Sequence, residues 1–247
     1  PESWIHRLQP AWSLDPICVR HRSVYMRRFF RPEEPPASLI EIANFRRKPL
    51  VSGGWDGTCR FFRMPDAVLL WTLSGHTSIV TCCTVSRDGT LLITGSNDTT
   101  VRLWRIAEEE AYAVLRDSRS EVGAVALSPD ETLLAAGNRD GIIRIYHLPY
   151  GTPGEGLPDL PGKVTALAFT ADGCVLAAGY DTGTCALFSV PERSLIRTVP
   201  AHSGAVTGVA ILPDGKTLVS SSCGRISASI VCVEGEVLLW DIPSGNL

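Results

Sequence analysis

Two histidines and four aspartates are the residues of this chain whose types and spacing could support chemistry. His76 and His202 could serve as general bases or as metal ligands. The aspartates recur every 42 residues and could form a ring of carboxylates; they are Asp88, Asp130, Asp172 and Asp214. However, the two histidines stand three such periods apart, and each aspartate lies in a short segment typical of a hairpin turn. The spacing therefore favours structural roles for all six residues.

The chain carries no recognised catalytic or metal-binding motif. It has no G-x-S-x-G elbow, no H-E-x-x-H pair and no Walker loop. The glycine-rich stretch 151–156 opens no predicted helix, so it predicts a long linker rather than a phosphate cradle. The eight cysteines include no C-x-x-C pair, which predicts buried free thiols in a reducing compartment. We therefore expect no catalytic residue, no metal, no cofactor and no small-molecule substrate.

The elements that must position these residues follow the same 42-residue period. An aromatic residue recurs with that step, and once more after a longer interval, at Phe62, Trp104, Tyr146, Phe188 and Trp240. The last unit has ten extra residues between its turn aspartate and its aromatic residue, near 223–232. Deleting them restores the spacing, so they are either a genuine loop or an error of gene prediction, and the spacing slightly favours the error.

Each unit predicts four short strands. Apolar, β-branched runs end at turns, as in 80–85, 122–127, 164–169 and 206–211, and further runs follow each turn. Four antiparallel strands in about 40 to 45 residues are typical of a propeller blade. The sequence therefore predicts an all-β fold, a β-propeller of four-stranded antiparallel blades with about five recognisable repeats. We assign 34–247 to these blades and 1–33 to an N-terminal segment that could hold strands of a preceding blade.

Five blades and a fraction predict an incomplete ring. Because an open ring would leave strand edges unpaired, we expect further blades upstream, downstream or both. The chain has no apolar run long enough to span a membrane and no charged-then-apolar leader at its start. These features predict a cytoplasmic location.

The second unit carries a more specific pattern. Its markers are Gly75-His76, Asp88-Gly89, Ser96-Asn97-Asp98 and Val101-Arg102-Leu103-Trp104-Arg105. This pattern resembles a WD40 repeat in every marker except Arg105, and the last unit supplies the usual aspartate as Trp240-Asp241. The resemblance covers about residues 34–247.

The WD40 resemblance implies a buried hydrogen-bonded network in each complete unit. In the second unit its members would be His76, Thr94, Asp98 and Trp104. In the fifth unit the matching positions are His202, Ser220, Glu234 and Trp240, if the extra residues precede Glu234. The resemblance thus makes the second unit the only complete one, and the others must depend on apolar packing.

The early repeats also resemble a particular group of WD40 proteins. The segments that carry this likeness are Ser52-Gly53-Gly54-Trp55-Asp56-Gly57-Thr58-Cys59-Arg60-Phe61-Phe62, Gly75-His76-Thr77-Ser78-Ile79-Val80-Thr81-Cys82 and Gly95-Ser96-Asn97-Asp98-Thr99-Thr100. They are similar to the C-terminal propeller of BEACH-domain proteins, which are large scaffolds of vesicle and membrane traffic. The likeness implies a partner-binding propeller peripheral to endomembranes.

One end of the propeller is the predicted docking face for other proteins. Loops before the first strand and after the second strand open at the same end, and rigid scaffolds commonly display binding residues on such loops. The candidates are Trp55, Asn97, Arg139 and Asp181 beside the turn, and Ile79, Glu121 and Lys163 at the start of the first strands. Trp55 and Arg139 are the foremost, because Trp and Arg are enriched in interface hot spots. The alternative is that Trp55 only packs over a neighbouring blade.

A basic segment offers a second class of function. Residues 1–63 carry a net charge of +5 and the remainder −8, which together give −3. The basic candidates are Arg20, Arg22, Arg27, Arg28, Arg31, Arg46, Arg47 and Lys48. Interleaved aromatic residues could stack on RNA bases, and the arginines could bind anionic lipid. The sequence favours lipid over nucleic acid, and a solvated or internally docked segment over both.

Overall fold

The computed structural model describes residues 18–20, 50–63, 66–108, 110–226 and 232–242. Strands dominate this part of the chain, which includes a three-residue 3-10 helix at Ile106–Glu108. The strands form five sheets that follow one another along the sequence, and each sheet is one blade. The predicted all-β architecture is confirmed. No helix within these ranges is long and apolar enough to cross a membrane.

The blades contain three or four strands each. Blade 1 comprises β1 (Cys18–Arg20), β2 (Leu50–Gly53), β3 (Thr58–Arg63) and β4 (Val68–Ser74). Blade 2 comprises β5 (Val80–Val85), β6 (Leu91–Ser96), β7 (Val101–Arg105) and β8 (Glu110–Leu115). Blade 3 comprises β9 (Val122–Leu127), β10 (Leu133–Asn138), β11 (Ile143–His147) and β12 (Thr152–Pro153). Blade 4 comprises β13 (Val164–Phe169), β14 (Val175–Tyr180), β15 (Thr184–Ser189) and β16 (Ser194–Pro200), and blade 5 comprises β17 (Val206–Ile211), β18 (Thr217–Ile226) and β19 (Cys232–Asp241).

Strands pair with their chain neighbours inside each blade. All pairs are antiparallel except β1 and β2, which run parallel with Cys18 opposite Val51. Cys18–Arg20 therefore belongs to the sheet of blade 1 and not to a separate, preceding sheet. The division of the chain at residue 33 stays a prediction.

The glycine-rich stretch 151–156 is not a plain linker, so that expectation is wrong. It contains β12, which pairs with β11 by placing Thr152 opposite His147 and Pro153 opposite Tyr146. A proline fits there because an edge strand needs no N–H donor on its outer side. The stretch thus supplies the fourth strand of blade 3.

The expectation of free thiols is also wrong in part. Cys59, Cys82, Cys174 and Cys185 are free. Cys83 and Cys223 are each disulfide-bonded. Their spacing in the sequence matched no disulfide framework, so the period alone gave no reason to expect these bonds.

The recurring aspartates shape the turns between the first and second strands of blades 2 to 5. Asp88 Oδ1 accepts a hydrogen bond from the backbone N–H of Thr90 at 3.0 Å, and from the hydroxyl of Ser86 at 2.6 Å. The same backbone bond forms at Asp130, Asp172 and Asp214. An aspartate that bonds the backbone two residues on stabilises a tight turn by itself. The four carboxylates therefore hold turns rather than a shared ligand.

Neighbouring blades pack through opposite faces of their sheets. Toward the preceding blade, the second strand presents a fully buried leucine in each case: Leu92, Leu134, Leu176 and Leu218. Toward the following blade, the third strand presents two apolar side chains, which in blade 2 are Val101 and Leu103. That pair packs against Val122, Leu134 and Tyr146 of blade 3. Apolar burial between successive blades therefore forms the core.

Glycines on the second strands allow the blades to approach closely. A Cβ on Gly137 would lie 2.2 Å from Cγ1 of Val164, the first residue of β13 in the following blade. Gly95 and Gly179 have the same relation to Val122 and Val206, at 2.5 Å in both cases. Any larger residue at these points would push two blades apart.

Candidate functional site

The predicted network of blade 2 is assembled in the structure. Nδ1 of His76 lies 2.8 Å from Oδ2 of Asp98, and Nε2 lies 2.7 Å from Oγ1 of Thr94. The indole N–H of Trp104 donates to the same hydroxyl oxygen at 2.9 Å. These hydrogen bonds connect four parts of the blade: the loop before β5, strand β6, the turn after β6, and strand β7. Both ring nitrogens of His76 are occupied and the side chain is buried, so it cannot act as a base toward a ligand.

The electrostatics of this network favour a neutral imidazole beside a carboxylate. Burial lowers the pKa of His76, and the hydrogen bond that its ring donates to Asp98 opposes this only in part. Burial raises the pKa of Asp98, but hydrogen bonds from Thr100 and His76 outweigh it and bring the value to about 2. In the neutral tautomer that fits these bonds, Nδ1–H donates to Asp98 and Nε2 accepts from Thr94.

Blade 5 contains a second complete network, which corrects the expectation that blade 2 alone has one. Nε2 of His202 lies 2.8 Å from Oγ of Ser220, and the indole N–H of Trp240 donates to that oxygen at 2.9 Å. The acidic member is Glu236, whose Oε1 lies 2.7 Å from Nδ1 of His202. The assignment of Glu234 to this position is wrong, since Glu236 is the carboxylate that contacts His202, while the backbone of Glu234 lies opposite Arg225 in the register of β18 and β19.

The ten extra residues explain this substitution. Those that the structure describes, 223–226 and Cys232, lengthen β18 to Ile226 and begin β19 at Cys232. No turn aspartate therefore remains beside His202, and a glutamate on β19, with one more methylene than aspartate, reaches the imidazole. Since Ser222 matches Ser96 in position, the longer hairpin extends from the end that carries Asn97 and Asp98 in blade 2.

Blade 3 replaces the network with a different set of partners. The hydroxyl of Tyr146 donates to Oδ1 of Asp117 at 2.7 Å, and Arg144 lies 3.8 Å from the other carboxylate oxygen. Burial first, and then Asp117, raise the pKa of Tyr146. The loop acid Asp117 thus takes the place of the Thr94 hydroxyl as the hydrogen-bond partner of the aromatic residue, since blade 3 has Ala136 at the threonine position. Sequence reasoning missed it because it stands outside the repeated motif.

Six of the seven candidate docking residues lie in pairs at one end of blades 2 to 4, which we call the upper face. Asn97 N–H donates to the carbonyl oxygen of Ile79 at 2.9 Å. Arg139 forms an ion pair with Glu121. Nζ of Lys163 lies 3.9 Å from Oδ2 of Asp181, whose Oδ1 accepts from the Lys163 backbone N–H at 2.7 Å. The candidates beside the turn therefore contact those at the start of the first strand within the same blade.

The seventh candidate, Trp55, lies in the turn between β2 and β3 of blade 1. It is 56 % exposed, which disagrees with the alternative that it packs over a neighbouring blade. The next residue, Asp56, forms an ion pair with Arg60 at 2.5 Å. The hydrogen bond from Arg60 is the main reason that the pKa of Asp56 falls to about 2. The upper face thus displays an exposed indole beside a fixed pair of charges.

Sequence reasoning did not identify a groove at the opposite end, between blades 2 and 3. The groove has a volume of about 600 Å³, and its lining includes Arg105, Tyr112 and Glu131. The guanidinium of Arg105 lies 4.8 Å from the centre of the Tyr112 ring, whose hydroxyl donates to the Pro149 carbonyl. The bond from Tyr112 to Pro149 joins the outer strand of blade 2 to blade 3 at this groove.

Most of the basic segment lies outside the described residues. The exception is Arg20, whose backbone belongs to β1. Within the part of the chain that the structure describes, no three histidine, cysteine, aspartate or glutamate residues are grouped as metal ligands would be.

Comparison with known families agrees with this geometry. The model of the WD domain, G-beta repeat, matches residues 67–105 and 110–147. The model of the anaphase-promoting complex subunit 4 WD40 domain matches residues 154–234. A search of the curated proteins gave no match. The two family models together span most of blades 2 to 5, and the chain therefore carries WD40 repeats that fold as propeller blades.

Proposed function

We propose that this protein is a non-catalytic scaffold that binds another protein on the upper face, with Trp55 as the central contact. The observation that carries the proposal is the exposure of this indole, 56 %, on a tight turn. Large aromatic residues on soluble proteins are mostly buried, and an exposed one on a rigid loop fits the properties of an interface anchor.

The framework below the turn supports a binding role. Gly54 N–H donates to the Thr58 carbonyl oxygen at 2.8 Å, and Thr58 and Arg60 both bond Asp56. A loop held in this way loses little conformational freedom when a partner binds, which favours affinity. WD40 propellers are typical platforms for protein interaction, and one of the matching models describes a subunit of a multi-protein complex.

We further propose that the protein is a BEACH-type scaffold of vesicle traffic, located in the cytoplasm and peripheral to endomembranes. It rests on the likeness of segments 52–62, 75–82 and 95–100. An alternative function is binding of RNA or anionic lipid through the basic segment 20–48. The local charge of +5 over residues 1–63 favours that alternative.

The test compares Trp55→Ala with a matched control. Tyr150→Ala removes an aromatic side chain that is 79 % exposed but lies beyond β11, at the opposite end of the blade. The wild-type chain is immobilised, partners are captured from cell extract and the major one is purified. Trp55→Ala should weaken its binding about 30-fold or more, as loss of an interface hot spot does, whereas Tyr150→Ala should leave it unchanged.

Salt dependence separates the two functions. A protein contact centred on an indole should change little between about 50 and 200 mM salt, while phosphate binding should weaken steeply. Equal binding by Trp55→Ala and wild type, with a steep salt dependence, would reject the upper face and favour the basic segment.

A further inference from the structure

Three arginines occupy the same position on the third strands of blades 1 to 3. Arg60, Arg102 and Arg144 follow one another at intervals of 42 residues, on β3, β7 and β11. Each is partly buried and lies near the start of its strand, just after a turn of the upper face. A guanidinium that loses part of its hydration is usually compensated by a carboxylate. The three blades can therefore be compared by the acid that each supplies.

Two of the three arginines have a carboxylate of this chain. Arg60 forms an ion pair at 2.5 Å with Asp56, the acid of its own turn. Arg144 lies 3.8 Å from Asp117, which stands in the loop that precedes blade 3. Blades 1 and 3 therefore compensate this charge internally, one with a turn acid and the other with a loop acid.

The turn acid of blade 2 is not available to Arg102. Asp98 holds the position that Asp56 holds in blade 1. Its Oδ2 lies 2.8 Å from Nδ1 of His76, and its Oδ1 accepts a hydrogen bond from the hydroxyl of Thr100 at 2.7 Å. The histidine network of blade 2 thus uses the acid that blade 1 gives to its arginine.

Blade 2 has no loop acid for this arginine either. Gly75 stands where the loop before blade 3 has Asp117. A Cβ on Gly75 would lie 2.5 Å from Nη1 of Arg102, so the guanidinium lies directly over this glycine. Its Cζ is 5.8 Å from the centre of the Trp104 ring, and its Nε is buried without a hydrogen-bond partner. Among the described residues, Arg102 therefore has no carboxylate to compensate its charge.

Arg102 and the turn that carries Trp55 flank one segment of the loop before β5. A Cβ on Gly57, the last residue of that turn, would lie 2.6 Å from the carbonyl oxygen of His76. The residue before His76 is Gly75, over which Arg102 lies. One extended peptide on the upper face can therefore reach both the exposed indole and the guanidinium.

We propose that the partner bound on the upper face pairs an aspartate or glutamate with Arg102, beside the residue that contacts Trp55. This inference rests on the proposed function and adds the charge of the partner to it. The planar fork of arginine can hold both oxygens of a carboxylate. A phosphate group fits less well, because it carries about two charges and is usually bound by several cations. Asp98, which accepts the Thr77 N–H of the same loop, would also repel it.

The probe is a library of random peptides of about 12 residues, which cover the upper ends of two blades at about 3.3 Å per residue when extended. The library is selected on the immobilised full chain at low salt, and the composition of the bound peptides is compared among variants. Arg102→Gln removes the charge in question. Arg105→Gln is the matched control, because Arg105 lies at the other end of β7 and its guanidinium also lies over an aromatic ring, that of Tyr112.

Peptides selected on the wild-type chain should be enriched in aspartate and glutamate. Arg102→Gln should remove this enrichment and weaken the binding of a selected acidic peptide about tenfold or more, as loss of a charge-assisted hydrogen bond does. Arg105→Gln should change neither result. Trp55→Ala should leave few bound peptides of any charge, so it tests the proposed function separately.

A pair of substitutions at Gly75 separates charge from shape. Gly75→Asp supplies an internal carboxylate beside Arg102, as Asp117 does beside Arg144, and should lower the enrichment in acidic peptides as Arg102→Gln does. Gly75→Asn has nearly the same shape but no charge, and should preserve the enrichment. Both new side chains meet the same neighbours, Arg102 and Trp104, so a steric effect would be common to the two variants.

Four results would overturn the proposal. Peptides that require Trp55 but show no preference for acids would reject the role of Arg102 and leave the proposed function in place. Equal effects of Gly75→Asp and Gly75→Asn would assign the enrichment to shape. Binding of a single-stranded RNA that exceeds that of every selected peptide and is lost in Arg102→Gln would assign the guanidinium to phosphate. A library without any peptide that depends on Trp55 would reject the proposed function and this inference with it.

Discussion

Blades 2 and 5 contain the same histidine network in different surroundings. In blade 2 the acid is Asp98 in the turn, the indole of Trp104 is buried, and blade 3 covers the outward face. In blade 5 the acid is Glu236 on a strand, and the outward face is exposed at Val237 and Leu239. The network therefore forms in blade 5 although no described blade covers its outward face.

This difference separates two sources of stability in a propeller. The hydrogen-bonded network joins strands within one blade and satisfies polar groups that burial would otherwise leave unpaired. The apolar faces join one blade to the next and supply the burial that drives folding. Blade 5 has a complete hydrogen-bonded network, but among the described residues its apolar packing is with blade 4 alone.

The largest expected contrast concerns one pair of matching leucines. Leu103→Ala removes a side chain buried between blades 2 and 3, and should lower the free energy of unfolding by about 2 to 5 kcal/mol. Leu239→Ala, at the matching position of blade 5, should change it by about 0.5 kcal/mol or less, because that side chain is already hydrated. Urea denaturation followed by circular dichroism measures both variants. Equal losses would mean that Leu239 is buried in solution.

Loss of the hydroxyl shared by the histidine and the tryptophan should also cost more stability in blade 2 than in blade 5. Thr94→Val leaves Nε2 of His76 and the indole N–H of Trp104 unpaired in a buried site, and should cost about 2 to 4 kcal/mol. Ser220→Ala removes the corresponding oxygen from blade 5, where Trp240 is partly exposed but Ser220 and the side chain of His202 are fully buried. It should cost less, about 1 to 2 kcal/mol, because water can replace the lost partner of the indole but not that of His202. Chemical denaturation with hydrogen exchange in β6 and β18 locates each loss, and a larger effect in β18 would contradict the comparison.

The period of the sequence predicted most of the fold for a physical reason. Apolar runs, turn aspartates and one aromatic residue per unit recur because every blade must bury the same two faces. The four members of the blade 2 network could therefore be assigned individually, and they lie within hydrogen-bonding distance. The same regularity placed the candidate docking residues at one end of the blades.

Predictions from the sequence were wrong where a contact departs from the 42-residue period. Counting back from Trp240 gave Glu234, because the count assumed that the extra residues left the turn in place. They lengthen two strands instead, and Glu236 becomes the partner of His202. β12 was missed since a two-residue edge strand has no alternation to detect. The disulfides at Cys83 and Cys223 were missed since no spacing rule predicts them.

A glycine at a blade interface provides a smaller contrast. Gly137→Ala places a Cβ 2.2 Å from Val164 Cγ1, and the resulting overpacking should cost about 1 to 3 kcal/mol. Gly156→Ala is the control, because its Cβ would lie no closer than 3.4 Å to the Ile143 carbonyl oxygen. Thermal unfolding of both variants tests this. If the two had the same midpoint, the blades could separate at this contact without cost, and the close approach at the glycines would not constrain the interface.

The smallest expected effect is the contribution of the blade 2 network to the pH dependence of stability. The pKa values of His76 and Asp98 are both below their usual ranges, so the unfolded chain binds more protons and stability declines as the pH falls. The decline due to His76 begins near pH 6.5, the unperturbed pKa of histidine. The decline due to Asp98 runs from pH 3.8, its unperturbed pKa, down to about pH 2, its pKa in the folded chain. Asp98→Asn keeps an acceptor oxygen but removes the charge, so its unfolding free energy should be lower at neutral pH and should decline less steeply than that of the wild type as the pH falls. The decline that remains comes from the other aspartates with lowered pKa values, which include Asp56, Asp88, Asp130, Asp172 and Asp214.

Asp140→Asn is the matched control for this variant. Asp140 holds the corresponding turn in blade 3, where it accepts the backbone N–H of Ile142 at 3.2 Å and has no histidine partner. Its replacement should leave the acid dependence of the wild-type chain in place. Urea midpoints measured from about pH 7 down to about pH 3 compare the three proteins. An acid dependence as steep in Asp98→Asn as in the wild type would assign it entirely to the other carboxylates and contradict a contribution from the blade 2 network.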